Sequence, residues 1–85
     1  MTEDAITLLL EHMPERKARA LLAGLEVPAR VRQAFELIAS TRHARELLGK
    51  GLCVRSTAYQ LCARYGFAMR TAYRRIDDAL DAGPR

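Results

Sequence analysis

A single glycine between two short helical patterns constrains this chain more than any other feature. Residues 57–76 read TAYQLCARYGFAMRTAYRRI, with Gly66 as the only glycine among them. Thr57–Tyr65 contains no proline, and Leu61 and Tyr65 stand four apart, so both fall on one helical face. A second run begins at Met69, with Ala72, Ile76 and Leu80 spaced by four as its expected inward face. Glycine reaches positive φ without the clash that a Cβ brings, so the chain can end one helix at Gly66 and turn at once into the next.

Each remaining position in this stretch has a physical role. Thr57 and Gln60 have the spacing of a capping box, which would satisfy orphan amides at the start of the first helix. Cys62 is small where two helices would approach closely, and Phe67 would plug the gap between them. Met69, Arg70, Tyr73 and Arg74 are left for the outward face of the second helix. This is the layout of a helix-turn-helix, whose second helix presents a polar face to a DNA major groove.

The stretch resembles the helix-turn-helix of bacterial transcription regulators. The lac-repressor family has a similar Thr-x-Tyr-x-(apolar)-(small) run before its turn, matched by Thr57, Tyr59, Leu61 and Cys62. DeoR-type regulators have a similar Gly-(apolar)-x-x-x-Thr-x-Tyr-Arg-x-(apolar) run, matched by Gly66, Phe67, Thr71, Tyr73, Arg74 and Ile76. The likeness covers about a quarter of the chain and identifies a motif rather than one family. It implies base reading by Met69, Arg70 and Arg74. It implies phosphate contacts from Arg55, Ser56, Thr57, Tyr59, Arg64, Thr71 and Tyr73. Two positions depart from the pattern. The usual capping Ser two after the Gly is Ala68, which cannot cap, and the usual Val or Ile of the next inward position is Ala72. The plainer alternative is a helical hairpin with an exposed Arg-rich face.

Charge decides between the two. Residues 1–39 carry five basic and six acidic side chains, whereas residues 42–75 carry eight basic side chains against Glu46 alone. Basic charge therefore gathers on the motif and on the helix before it. Phosphate binding needs that distribution, because each neutralised phosphate releases counterions. Double-stranded DNA is the expected partner.

Upstream of the motif the chain reads as helix throughout. A first helix is expected from about Glu3 to Met13, with Thr2 as N-cap and acids in its first turn. Ile6, Leu9, Leu10 and Met13 form one stripe at i, i+3, i+4, i+7 spacing. Pro14 would start a second helix that ends at Gly24, and Pro28 a third that runs from Ala29 to about Leu48, with Ser40–Thr41 a candidate break. Gly49–Lys50–Gly51 would end it. The helix, glycine turn, helix, glycine turn, helix pattern of residues 42–76 looks similar to the DNA-binding domain of Hin-type recombinases, which also has a Lys-Gly turn. The expectation is an all-α fold of about five helices with a C-terminal three-helix unit.

The expected organisation is an N-terminal segment, 1–28, for dimerisation or partner contact, a DNA-binding unit, 29–82, and a frayed tail, 83–85. Eighty-five residues permit one modest core, and small helical domains gain stability by dimerising. Ile6, Leu9, Leu10 and Met13 are the expected dimer contacts. A two-fold protein also matches a palindromic site. A helical N-terminus ahead of such a motif looks like the Mor/C class of phage activators, in organisation only.

No other chemistry stands out. Cys53 and Cys62 are too far apart for a zinc knuckle, and His12 and His43 add no ligand pattern, so free thiols and no metal or cofactor are expected. Asp77, Asp78 and Asp81 suit pairing with Arg74 and Arg75 better than acid–base work. No catalytic site or small-molecule pocket is readable. The apolar run Ala5–Leu10 is too short for a membrane span and lacks the basic flank of a signal peptide, so a soluble cytoplasmic protein is expected. The function expected is sequence-specific DNA binding by a small transcription regulator. A phage packaging or plasmid partition subunit, and a protein–protein adaptor or antirepressor, are the other classes left open.

Overall fold

A computed structural model describes residues 2–81. They form an all-α protein of five helices, α1 (Glu3–His12), α2 (Glu15–Gly24), α3 (Ala29–Gly49), α4 (Val54–Tyr65) and α5 (Met69–Asp81). The expected frayed tail lies outside the described residues. The chain divides into two compact units, Met1–Ala39 and Ser40–Arg85. That division falls inside α3, which contributes residues to both, rather than ahead of it at Pro28. The Ser40–Thr41 pair does not break α3, which is continuous from Ala29 to Gly49.

In the first unit, Thr2 caps α1 by accepting a hydrogen bond from the Ala5 amide at 3.2 Å, and Glu3 and Asp4 lie against the positive helix end. Pro14 then separates α1 from α2. Gly24 is the last helical residue of α2, and the left-handed turn expected of a glycine falls on Glu26, at φ 51°. Ile6, Ala18, Leu22, Val31, Phe35 and Ala39 make the core, with Leu9, Leu10 and Met13 half-buried against it. The α1 stripe expected to meet a second chain is thus turned into its own unit. Ile6 is 1% exposed and has no surface left to offer. The sequence could not assign this stripe a partner because Val31, Phe35 and Ala39, which cover it, lie in a helix assigned to the other unit.

In the second unit, Ala44, Ala58, Leu61, Ala72, Ile76 and Ala79 form the core, flanked by Leu48, Cys62, Tyr65, Phe67 and Met69. Ala72, Ile76 and Ala79 carry the inward face of α5, while Leu80, expected to extend it, is 58% exposed. Four of the six core residues are alanines, so this core is built on close approach rather than on bulk. Tyr65 and Phe67 close one side of it, stacked at 5.3 Å with their planes 19° apart, and His43 meets the Tyr65 ring edge-on at 6.2 Å.

Glycines set both turns of this unit. Gly51, at φ 95°, ends α3 in a Schellman arrangement, with Leu52 N–H bonded to Leu47 O at 3.2 Å and Gly51 N–H to Leu48 O at 3.0 Å. Gly66, at φ 72° and ψ 22°, ends α4 and bonds Cys62 O at 2.9 Å. A Cβ on Gly66 would meet no atom within 4 Å, so the requirement there is torsional and not one of space.

The start of α4 differs from expectation. The helix begins at Val54, one turn before Thr57, and its N-cap is Cys53, whose sulfur accepts from the Ser56 amide at 3.4 Å. Thr57 caps nothing. It is fully buried, and its hydroxyl has no hydrogen-bond partner among the described residues. An unpartnered buried hydroxyl costs about 1–3 kcal/mol in desolvation. Thr57→Val, which keeps the shape and removes the hydroxyl, should therefore stabilise the protein by about 1 kcal/mol. Urea unfolding checks this, and a loss of stability would show that the hydroxyl is bonded.

Candidate nucleic-acid interface

The site is built on α5. Ala72, Ile76 and Ala79 face its unit's core, and the helical period then turns Arg70, Tyr73, Arg74 and Asp77 to the opposite side, where all four are exposed. Arg70 and Arg74 stand one turn apart, and neither makes an ion pair among the described residues. Arg75 behaves differently. It bonds Asp78 at 2.9 Å and its side chain is only 15% exposed. The expected pairing of the terminal aspartates with arginine is met between Arg75 and Asp78.

Met69 does not stand with the two arginines. It is half-buried against the unit's core, with its sulfur 3.4 Å from the sulfur of Cys62. The likeness implied a base-reading side chain there. In this chain the position serves the α4–α5 seam, where the flexible thioether packs beside Cys62 and the alanine-rich core.

Of the seven expected phosphate contacts, Arg55, Ser56, Tyr59, Arg64 and Tyr73 are exposed and Thr71 is half-buried. Thr57 is corrected, since a fully buried side chain cannot reach a phosphate. Arg55 and Tyr59 lie one turn apart on α4, and Arg64 lies over the Tyr65 ring at 5.7 Å. Cys53 sits at the same helix start, fully exposed. Hydrogen bonding to Ser56, side chain first and backbone next, holds its thiol below the ordinary value. Cys62 is likewise a free thiol.

Two basic residues were absent from the expected site. Arg42 and Arg45, on the part of α3 that belongs to this unit, line an open hollow of about 260 Å³ with Glu46. Glu46 is itself bonded to Lys50 at 3.2 Å. The regional charge count was the only sequence signal for these arginines, because they lie outside the matched motif. Together, Arg42, Arg45, Arg55, Arg70 and Arg74 carry positive charge with no carboxylate bonded to it among the described residues. Cations without a bonded carboxylate suit a polyanion, and the exposed Tyr59 and Tyr73 can hydrogen-bond phosphate oxygens.

Among the described residues no group of three or more His, Cys, Asp or Glu side chains is placed to hold a metal ion, and no helix is long and apolar enough to cross a membrane. No family model, no curated protein and no solved structure matches this chain.

Met69→Ala should cost about 1–2 kcal/mol of stability, as expected for removing a half-buried side chain, and should leave any base preference unchanged. Thermal unfolding read beside a DNA-binding assay checks both halves. Unchanged stability with altered base preference would return Met69 to the outward face.

Proposed function

We propose that residues 40–81 form a helix-turn-helix unit that binds double-stranded DNA, with α5 as the recognition helix in the major groove, and that the protein is a small transcription regulator. The observation that carries this reading is the pair Arg70 and Arg74, exposed one turn apart on α5 with no carboxylate bonded to either among the described residues. The three-residue link Gly66–Ala68 between α4 and α5 has the length such motifs use. An Arg fork bonds both O6 and N7 of guanine, so this pair suits a G-containing site. Arg55, Tyr59, Arg64 and Tyr73 supply the phosphate contacts that fix register, and Arg42 and Arg45 widen the positive field that draws DNA in. Asp77 and Asp81 limit the DNA-facing length of α5, because carboxylates repel phosphate.

Selecting bound duplexes from random DNA tests this directly and yields the site. On the selected site, Arg70→Ala or Arg74→Ala should cost about 1–3 kcal/mol, with much smaller losses on random duplex. Equal losses on both would make these arginines phosphate contacts. Arg64→Ala should instead weaken binding to every duplex and lower the salt slope by about one unit. Absence of DNA binding even at low salt would overturn the reading and favour an acidic protein partner.

A further inference from the structure

Cys62 and Met69 bring two sulfur atoms together across the turn at Gly66. Cys62 lies in the last turn of α4, and Met69 is the first residue of α5. The Cys62 thiol donates to the Met69 thioether at 3.4 Å. Both side chains pack against the core of their unit and both are half-buried, so the pair is seated on the fold yet reachable from solvent. Neither sulfur belongs to the DNA-facing surface described above.

Donor chemistry selects the ligand. Magnesium and calcium take oxygen donors, and zinc is held by three or four side chains drawn from cysteine, histidine and carboxylates. Copper(I) is the ion that thiolate and thioether sulfur both favour. Charge points the same way. A thiolate with a monovalent ion is neutral, so the complex can rest against an apolar core without an unpaired charge. A divalent ion would keep a net positive charge there, within a stretch, 42–75, that carries eight basic side chains against one acidic. The geometry needs little adjustment. Metal–sulfur bonds of about 2.3 Å hold two sulfurs at most about 4.6 Å apart. The observed 3.4 Å contact must therefore open by little more than about 1 Å, which rotation of the unbranched Met69 side chain supplies. Cys53 has a different setting. Its sulfur is exposed and bonded to the hydroxyl and amide of Ser56, which are not soft donors.

We propose that Cys62 and Met69 are the two protein ligands of a copper(I) site. The Cys62 proton passes to solvent, one bond forms from copper to the thiolate and one to the thioether, and the copper stays in its reduced state throughout. The bound ion ties α4 to α5 in addition to the link through Gly66. The site does not rest on DNA binding, so its test contains no DNA.

Anaerobic titration of the full chain with copper(I), in competition with a chromogenic copper(I) chelator, is the experiment, and methyl resonances identify the ligand. Cys53→Ser removes the exposed thiol and leaves a preferred N-cap in its place. This variant should bind one copper(I), shift the Met69 methyl resonance but not that of Met13, and unfold at a higher temperature than its metal-free form. In the same background, Met69→Leu keeps the apolar volume and should weaken binding at least about tenfold. Cys62→Ser should weaken it further. Met69→Leu reads the pair even if Cys62→Ser disturbs the seam. Undiminished affinity in Met69→Leu, or a Met69 methyl that does not move, overturns the proposal, because a thiol alone would then account for the binding. Loss of copper(I) binding in Cys53→Ser also overturns it and moves the ion to the start of α4.

Discussion

The second unit depends on the backbone at Gly66. A helix that ended there in the ordinary right-handed region would carry on as α4, and Phe67 could not stack on Tyr65. The left-handed torsion costs a residue with a Cβ about 1–2 kcal/mol, and glycine essentially nothing. Space around Gly66 is open, so the penalty for replacement is wholly conformational. From that one torsion follow the short link to α5, the seam of Ala58, Leu61, Ala72 and Ile76, and the outward placement of Arg70 and Arg74. The bond from Gly66 N–H to Cys62 O secures the same turn from the helix side.

Charge then separates the residues that hold the fold from those available to a partner. Arg19 is enclosed by Glu15, Glu36 and the face of Phe35, Lys50 is bonded to Glu46, and Arg75 is bonded to Asp78. The exposed pair, Lys50 with Glu46, contributes about 0–1 kcal/mol, and the part-buried ones hold their side chains in position. Arg70 and Arg74 on α5, Arg55 on α4, and Arg42 and Arg45 on α3 have no such partner among the described residues. The proposed function rests on this contrast, since unpaired positive charge on a folded surface is what an incoming polyanion stabilises.

The sequence made the helices and their punctuation legible. Thr2, Pro14, Gly51 and Gly66 act through local torsions and caps, and such signals do not depend on the rest of the fold. What it could not supply was the partner of each apolar face. Ile6, Leu9, Leu10 and Met13 read as a stripe in search of a second chain because Val31, Phe35 and Ala39 are distant in sequence. Leu80 matched the period of four, but the helix repeat of 3.6 brings Ala79 inward after Ile76 instead. Thr57 matched a cap, yet Cys53 starts the helix a turn earlier, a residue seldom favoured there. Met69 and Thr57 were assigned to the site by their place in a motif. Thr57 is fully buried, and Met69 is half-buried against a core whose residues are mostly alanine. Arg70 and Arg74 escaped that displacement because their charged ends are costly to bury.

Titrating the isotopically labelled full chain with a selected DNA duplex, and following its backbone amide resonances, tests the central claim most directly. If α5 enters the major groove, the largest shifts should fall on Arg70, Thr71, Tyr73 and Arg74, with a second set at Arg55, Ser56 and Tyr59 and little change in α1 or α2. Shifts concentrated in the first unit, or none at low salt, would contradict the account.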